Sequence, residues 1–367
     1  MGTDDDLPPP TPSLRHLARI CDANGIFEHA LLDQPRREIG YCTDDAGRLL
    51  RVAARLPWDP DSARLTHVAL GFLERAHLAE GTFRLRQRPS GEWTDDPPTD
   101  DANARALLGL ATAAAWSAWP HVRSRALELF DRASAFRSPY PRATAYAALG
   151  AADLLAAFPD HPGALRLARD ASNLVGPADE DDAWRWPEPR LSYANALLPE
   201  AALAVANALG DRRAANDALG QLDWLVNEEL LGDHFSFTPV GGRGPNDTRP
   251  SFDQQPIEAW AMCEACARAH DLTGDARWAD SARRAASWFL GDNDLGLAMF
   301  DPATGGGFDG LGCDGVNRNE GAESSMAYVA AMTVLQRIAA QGATAPGEVQ
   351  PSRPTNALQA ASNASSR

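Results

Sequence analysis

The chain lacks several features that particular classes of protein need. No stretch of its 367 residues approaches the roughly 18–20 uncharged apolar residues that cross a bilayer. The amino-terminal segment, Met1 to Pro10, is acidic and rich in proline, and no basic region precedes an apolar run there, so we expect no signal peptide. These two absences together favour a cytoplasmic protein.

Positive charge is also scarce. The chain has 34 basic residues, all of them arginine, against 50 aspartate and glutamate residues, which gives a net charge of −16 and an isoelectric point near 4.9. Nucleic acids and anionic lipids need basic patches, so neither is an expected partner. Lysine is absent from the sequence, which argues against Schiff-base chemistry.

Cysteine is too sparse for a disulfide framework. The chain has five cysteines, an odd number spread over its whole length. Cys263 and Cys266 form a C-x-x-C motif, but they lie inside an apolar helical pattern rather than at a turn or a helix start. We interpret both as small core residues on one face of a helix.

Apolar residues, mostly alanine and leucine, recur at helical spacing through most of the chain. The pattern predicts twelve helices, at 12–23, 44–57, 61–79, 101–118, 121–135, 141–158, 162–175, 193–209, 212–231, 256–273, 275–290 and 322–340. Pro256 suits a first helical position, and Gly210, Gly274 and Pro159 suit helix ends. Residues 1–11 and 341–367 have the composition of disordered tails.

The connections between these helices alternate in length, which predicts the architecture. Those at 24–43, 80–100, 176–192, 232–255 and 291–321 are long, the one near 136–140 is intermediate, and those between them are short. Because consecutive antiparallel helices put every second connection at the same end, the long loops share one face. Six helical hairpins closed into an all-α (α/α)6 barrel fit this pattern, with the even-numbered helices inside. The partially positive amino termini of the inner helices then converge on one concavity.

Two of the inner helices open on a near-repeat. T-D-D-A begins at Thr43 and again at Thr99, with an arginine about one turn later, at Arg48 and Arg105. An acidic pair before a helix is usually an N-cap with a dipole-complementing acid, but two such pairs at equivalent junctions also suit a catalytic site. Both interpretations stay open for each pair.

The six junctions on the loop face carry the residue types that sugars need. Acids, amides and arginines bind hydroxyl groups, indole rings stack on sugar C–H faces, and two carboxyl groups can cleave a glycosidic bond. The candidates for proton transfer are Asp45, Asp101, Glu258 and Glu320. The candidates for substrate binding are Tyr41, Asp44, Arg48, Asp100, Arg105, Arg142, Trp184, Trp186, Glu188, Tyr193, Asn195, Asp253, Gln254, Gln255, Asn319 and Glu323.

Several of these candidates have an equally plain structural explanation. Trp184 and Trp186 suit loop anchors as well as stacking platforms, and Glu258 and Glu323 suit acids that favour a helix amino terminus. His29 suits a loop-tethering role better than that of a base. No dinucleotide or phosphate-loop motif occurs, so no cofactor is expected, and no metal site is predicted, although clustered acids could hold Ca²⁺.

A resemblance agrees with this interpretation. The blocks E-H-A (28–30), G-Y-C-T-D-D (40–45), T-D-D-A-N-A-R-A-L (99–107), W-P-E-P-R-L-S-Y-A-N-A (186–196), F-D-Q-Q-P-I-E (252–258), W-F-L-G-D-N-D-L-G (288–296) and N-E-G-A-E-S (319–324) are similar to a bacterial family of the six-hairpin glycosidase-like superfamily. That family occurs alone or fused behind a family-4-type glycosyltransferase, near genes for mannoside phosphorylases. The resemblance implies an (α/α)6 toroid over about residues 14–338. Its members often have Ser-Glu-Asp where this chain has Thr99-Asp100-Asp101, which favours Asp101 over Asp100 as the functional acid.

Three functions are consistent with the sequence. The leading hypothesis is a glycoside hydrolase that uses an Asp/Glu pair on a short, mannose-containing oligosaccharide. A sugar epimerase on the same fold is the second; such enzymes typically use histidines in the pocket, and only His29 and His234 lie on loop-face segments. The third is a glycan-binding protein that serves a partner glycosyltransferase.

Overall fold

A computed structural model describes residues 11–172 and 184–343 of the chain. Within these ranges twelve α-helices follow one another, close to the predicted positions. They are α1 Arg15–Arg19, α2 Thr43–Ala53, α3 Pro60–Ala76, α4 Asp100–Trp116, α5 Pro120–Ala133, α6 Pro141–Ala157, α7 Pro162–Asp170, α8 Leu197–Leu209, α9 Arg212–Glu229, α10 Pro256–Thr273, α11 Ala276–Ser287 and α12 Ala322–Ala343.

Local sequence signals account for many of the helix ends. Asp59 caps α3 through a capping box with Ser62, and Pro256 is the first residue of α10, as predicted. Gly210 and Gly274 take left-handed conformations directly after α8 and α10, which confirms both as C-caps. The acidic pair at the start of α4 lies in its first turn, while Thr99 supplies the N-cap.

The even-numbered helices form a closed inner ring. Each contacts the next, from α2 through α4, α6, α8 and α10 to α12, and α12 contacts α2 again. The odd-numbered helices α3, α5, α7, α9 and α11 pack outside, each against the even helix before it in the chain. The predicted all-α (α/α)6 barrel is therefore confirmed.

Burial separates the two rings. In α4 every residue from Ala102 to Ala114 is buried, because neighbours cover the helix on all sides. The outer helix α11 buries only one face. Adjacent inner helices approach closely through glycine: a Cβ at Gly109 would lie 2.4 Å from the carbonyl oxygen of Gly47, so no larger residue fits between α2 and α4. Small residues at these contacts thus let the inner helices pack closely together.

In the described part of the chain, four two-stranded antiparallel sheets stiffen the long connections. They pair β1 Ala30–Leu31 with β2 Gln34–Pro35, β3 Tyr41–Cys42 with β4 Arg86–Gln87, β5 Leu230–Leu231 with β6 His234–Phe235, and β7 Gly310–Gly312 with β8 Gly315–Asn317. The last pair is a hairpin between α11 and α12, which the helical pattern alone does not predict.

Other sequence-based expectations have mixed outcomes. Cys263 and Cys266 are both buried inside α10 as free thiols, which confirms them as core residues. No helix within the described ranges is long and apolar enough to cross a membrane. The predicted disordered tails fall almost entirely on residues 1–10 and 344–367, outside the described residues, as does the loop segment 173–183.

Candidate active site

The amino-terminal ends of α2 and α12 and the loops before them enclose a pocket of about 390 Å³, which we call the acidic pocket. Its size lies within the range of about 300–1,000 Å³ typical of small-molecule sites. Its wall consists of Glu28, His29, Asp44, Asp45, Arg48, Gln255, Asp309, Asn317, Gly321, Glu323 and Ser324. Five carboxyl groups therefore share one concavity at the loop-rich face, as the topology predicts.

Below the acidic pocket the barrel axis is filled. A small cavity there measures only about 20 Å³, and Arg51, Glu200, Glu264 and Trp260 are among the side chains around it. Arg51 lies 3.8 Å from Glu200 and 3.6 Å from Glu264, so charged groups from three inner helices close the interior. A ligand of sugar size in the acidic pocket therefore enters from the loop-rich face.

Arg48 organises one side of the pocket. Its Nη1 donates to Asp45 Oδ1 at 2.7 Å, and its Nη2 donates to Glu323 Oε2. The arginine and Asp45 are buried, whereas Glu323 is partly exposed. Because the guanidinium stays charged, both carboxyl groups face a fixed cation.

Burial dominates the titration of Asp45. Removal from water raises the pKa of this carboxyl to about 7, and nearby Glu28 and Asp44 act in the same direction. The Arg48 guanidinium opposes this shift without cancelling it. Asp45 therefore changes protonation near neutral pH, which suits proton transfer.

Asp309 is a half-buried carboxyl group whose pKa is also raised, and its partial removal from water is again the main cause. Its Oδ1 accepts from the Gly321 backbone N–H at 2.9 Å and from the Ser324 hydroxyl at 2.8 Å. Within the described residues its Oδ2 has no hydrogen-bond partner, and no arginine forms an ion pair with it. This oxygen is therefore available to a ligand in the acidic pocket.

The second acidic pair connects to the first through Arg105. The Arg105 Nη1 lies 3.2 Å from Asp44 Oδ1 and 3.8 Å from Asp101 Oδ2, so one guanidinium links the first turns of α2 and α4. It also stacks over the Tyr146 ring at 4.6 Å, and the Tyr193 hydroxyl donates to Asp101. Asp44 and Asp101, one from each T-D-D-A motif, thus belong to one network of hydrogen bonds and ion pairs.

Arg142 holds the part of the site in front of α8. It donates to the Tyr193 carbonyl at 2.5 Å, to Glu188 Oε1 at 2.7 Å and to Asn195 Oδ1 at 3.1 Å. Trp186 is buried and donates to Glu188 Oε2 at 3.2 Å, so its ring is packed into the fold rather than presented to a sugar. Trp184 is partly buried and donates to the Glu188 carbonyl at 2.9 Å.

Glu258 is buried and saturated with hydrogen-bond donors. It accepts from the Ala194 backbone N–H at 2.5 Å, the Asn195 backbone N–H at 3.1 Å and the Asn195 side-chain amide at 3.2 Å. Asn195 is fully buried, so it too supports the site rather than binding a ligand directly. Glu258 therefore fixes the turn that carries Tyr193, and the expectation that it transfers protons does not fit this geometry.

Three other predicted residues lie elsewhere in the fold. Tyr41 is buried, donates to Asp22 Oδ2 at 2.7 Å and packs against Phe27, so it is a core residue rather than a stacking subsite. Gln254 is fully buried and bonds Asp294 at 2.5 Å. Glu320 is buried away from the pocket wall, where it accepts from Thr304 at 2.6 Å.

The remaining predicted residues have simpler placements. Gln255 lies on the wall of the acidic pocket, and Asp253 is exposed just outside it. Asn319 accepts from the Leu32 backbone N–H at 2.9 Å and so ties two loops together. Asp100 accepts from the Ser138 hydroxyl at 2.7 Å and serves the α4–α6 junction.

Six residues of the wall were not among the predicted site residues, and three of these six are ionisable: Asp309, Glu28 and His29. Asp309 reaches the pocket because the β7–β8 hairpin folds back over the start of α12, a contact that no helical period reveals. Glu28 receives a bidentate hydrogen bond from Arg86, at 3.0 and 2.7 Å. His29 lies beside it with a side chain that is 52 % exposed, so the expected tethering role is replaced by a place on the wall. The E-H-A block was the available signal for the last two.

Comparison with known proteins shows the fold. No protein-family model matches the sequence, and no curated protein matches it. Three solved structures share its architecture: cellobiose 2-epimerase from Bacillus thermoamylovorans (TM-score 0.66, 13 % identity, 90 % of this chain and 96 % of that one), a D-mannose isomerase (0.64, 11 %, 87 % and 93 %) and a GH76 α-mannanase from Bacteroides thetaiotaomicron (0.62, 13 %, 89 % and 94 %). The chain has the all-α (α/α)6 barrel fold of these structures.

Proposed function

We propose that the protein is a glycoside hydrolase that acts on a short oligosaccharide in the acidic pocket. One observation carries this proposal: a pocket of 390 Å³ holds two carboxyl groups with raised pKa values, the buried Asp45 and the half-buried Asp309, beside carboxylates held in ion pairs by arginine. Glycosidic cleavage needs one carboxyl group that donates a proton and another that is ionised.

Asp309 is the candidate proton donor. Partial burial raises the pKa of its carboxyl group, no arginine is paired with it in the described structure, and its Oδ2 has no hydrogen-bond partner there and can approach a glycosidic oxygen. In the proposed step the Asp309 proton passes to that oxygen while its bond to the anomeric carbon breaks. The Gly321 N–H and the Ser324 hydroxyl then stabilise the carboxylate that remains.

Asp45 is the candidate base. Arg48 donates to Asp45 Oδ1 and favours the ionised form of this carboxyl group, while burial raises its pKa to about 7. Asp45 can therefore take a proton at neutral pH. In the proposed step it removes a proton from the water whose oxygen attacks the anomeric carbon. The Asp45 proton later returns to solvent, and Asp309 is reprotonated, so the cycle closes with one water consumed.

The network beyond the pocket suits the recognition of sugar hydroxyl groups. Asp101 and Tyr193 lie next to Arg105, whose other contact is the pocket residue Asp44. A mannose-containing substrate is our choice, since a mannose isomerase and an α-mannanase are among the proteins that share the fold.

Sugar epimerisation is the second candidate, and His29 is the observation that favours it. An imidazole on the pocket wall could abstract a proton beside a sugar carbonyl, and epimerases and an isomerase share the fold. Against this candidate, the pocket has one histidine and five carboxyl groups.

Incubation with mannotriose and with cellotriose in D₂O separates the three functions. A hydrolase yields shorter saccharides with no deuterium on carbon. An epimerase leaves the chain length unchanged and incorporates deuterium at the epimerised carbon. A glycan-binding partner of a glycosyltransferase binds saccharide and changes nothing. Uncleaved saccharide with bound protein would contradict the hydrolase proposal.

The variants Asp309→Asn and Asp45→Asn test the assigned roles. Each is expected to lower the cleavage rate by about 10²–10⁴-fold, the usual contribution of general acid or base catalysis. Asp61→Asn is the matched control, because Asp61 is an exposed acid in the first turn of the outer helix α3. A full rate in Asp309→Asn would remove Asp309 from the mechanism.

A further inference from the structure

Beside the acidic pocket lies a second and larger concavity of about 660 Å³, which we call the hairpin pocket. The β7–β8 hairpin forms one wall, with Cys313 and Asp314 at its tip. Val240, Asp253, Leu297 and Arg318 complete much of the rest. No role follows for this pocket from the proposed chemistry, which needs only the acidic pocket.

We infer that the hairpin pocket binds the sugar unit on the leaving-group side of the scissile bond, so that the substrate spans two adjoining subsites. This inference rests on the proposed function, because it takes cleavage to occur between the two pockets. It specifies the substrate class as an oligosaccharide of at least two units rather than a monosaccharide derivative.

The two pockets share part of their walls. Gln255, Asp309 and Asn317 line both of them, so the pockets adjoin at the residue that we assign as proton donor. A proton donor belongs beside the glycosidic oxygen, which is the atom that joins the two sugar units. A saccharide with one unit in each pocket therefore places that oxygen near Asp309.

The hairpin is anchored firmly enough to act as a binding wall. The Gln254 N–H donates to the Leu311 carbonyl at 3.0 Å, and the Leu311 N–H donates to the Gln254 carbonyl at 2.9 Å. The Gln254 side chain is buried and bonded to Asp294 and Trp288. These contacts explain the fully buried Gln254: it fixes the base of the hairpin instead of binding sugar.

The lining of the hairpin pocket has the mixed character that a pyranose needs. Val240 is 64 % exposed and Leu297 is 37 % exposed, and such apolar side chains suit the C–H face of a sugar ring. Asp253, Asp314 and Arg318 offer acceptors and donors to hydroxyl groups.

Cys313 is a natural reporter for this pocket. It lies exposed at the hairpin tip, while the other four cysteines of the chain are buried. A maleimide should therefore label Cys313 selectively in the folded protein, and Cys313→Ser should abolish that labelling. The rate of maleimide labelling therefore measures whether a ligand occupies the hairpin pocket, and the measurement does not depend on catalytic turnover.

The experiment compares mannose, mannobiose and mannotriose, each at ten times the Kd measured by calorimetry on the full chain carrying Asp309→Asn, which prevents cleavage. At that concentration a ligand that covers Cys313 leaves about one tenth of the sites free and slows labelling about ten-fold. We expect this protection from mannotriose and mannobiose but not from mannose.

The outcomes separate this inference from the proposed function. If mannotriose binds and Cys313 is labelled at the rate of free protein, the inference is wrong while the proposed function stands. Equal protection by mannose would also overturn it, because one unit would then suffice to fill the hairpin pocket. If neither mannotriose nor the matching cellotriose binds at all, both proposals fail.

A variant provides a second measurement. Arg318→Ala should raise the KM for mannotriose more than the KM for an aryl mannoside, because the aryl leaving group has no sugar hydroxyl groups for Arg318 to bind. Arg318 contacts the Phe308 ring from outside the acidic pocket, so its removal leaves that pocket intact. An equal rise of both KM values would contradict the assignment of Arg318 to the hairpin pocket.

Discussion

The Arg48 guanidinium joins two neighbouring inner helices at the acidic pocket: its Nη1 lies 2.7 Å from Asp45 on α2, and its Nη2 donates to Glu323 on α12. The inner ring closes between these two helices, since they carry the first and last of the even positions. The same ion pairs therefore support both the closure of the barrel and the electrostatics of the site.

Removal of Arg48 should destabilise the protein. In Arg48→Met the Asp45 carboxyl would stay buried without its cation, and loss of one partner of a buried pair costs about 3–5 kcal/mol. Urea denaturation of wild type and variant at pH 7 measures the difference in the free energy of unfolding.

The matched control for that experiment is Arg132→Met. Arg132 pairs with Glu128 on the exposed face of α5, and such surface pairs contribute at most about 1 kcal/mol. Equal losses of stability in the two variants would show that the Arg48 pair is no stronger than a surface pair.

The stability of the protein should depend on pH through Asp45. The pKa of this carboxyl is about 7 in the folded protein against an ordinary value of 3.8, so between these values the folded state holds more protons than the unfolded state. The contribution of Asp45 to the free energy of unfolding therefore falls as pH rises from about 4 to about 7, by at most about 1.4 kcal/mol per pH unit.

The asparagine in Asp45→Asn does not titrate, so a comparison with wild type isolates the contribution of Asp45. As pH rises from about 4 to about 7, the free energy of unfolding of wild type should fall relative to that of the variant. Above about pH 7 the difference between the two should stay constant. A difference that stays constant from pH 4 to pH 8 would show that the Asp45 pKa is not raised in the folded protein.

A good leaving group should compensate for the loss of Asp309. Asp309→Asn removes the proposed proton donor, and we expect the rate on mannotriose to fall by about 10²–10⁴-fold. A nitrophenyl glycoside leaves as a weakly basic anion that needs little protonation, so its loss of rate should be much smaller. Identical losses on both substrates would contradict the role of Asp309 as an acid.

Glu258 should act on binding through the turn it holds. In Glu258→Gln an amide N–H₂ would face an N–H donor of Ala194 or Asn195, and a buried donor without an acceptor costs about 1–3 kcal/mol. We expect a lower Tm and a raised KM with a smaller change in kcat, because Tyr193 loses its position. A loss confined to kcat would instead indicate a catalytic role.

The architecture could be predicted from the sequence because it depends on local patterns. Helical periodicity, the glycine caps at Gly210 and Gly274 and the alternation of loop lengths are all properties of neighbouring residues. The acidic pairs at the starts of α2 and α4 were also correctly placed on the loop-rich face, since the direction of each helix follows from its position in the chain.

The site was predicted less completely because it depends on loops that fold back. Asp309 lies on the pocket wall because it precedes a hairpin whose strands are only three residues long. Tyr41, Gln254 and Glu320 do not line the pocket, because tertiary contacts bury them elsewhere. Residue type indicated sugar chemistry for Tyr41, Gln254 and Glu320. Only the packing distinguishes Gln254, which anchors the hairpin, from its neighbour Gln255, which lines the pocket.

The central claim, that the acidic pocket cleaves a glycosidic bond, is tested most directly by chromatography of mannotriose incubated with wild type, Asp309→Asn and Asp61→Asn. The account predicts shorter saccharides from wild type and from Asp61→Asn at equal rates, and almost none from Asp309→Asn. Intact mannotriose and intact cellotriose after incubation with folded wild-type protein would contradict it.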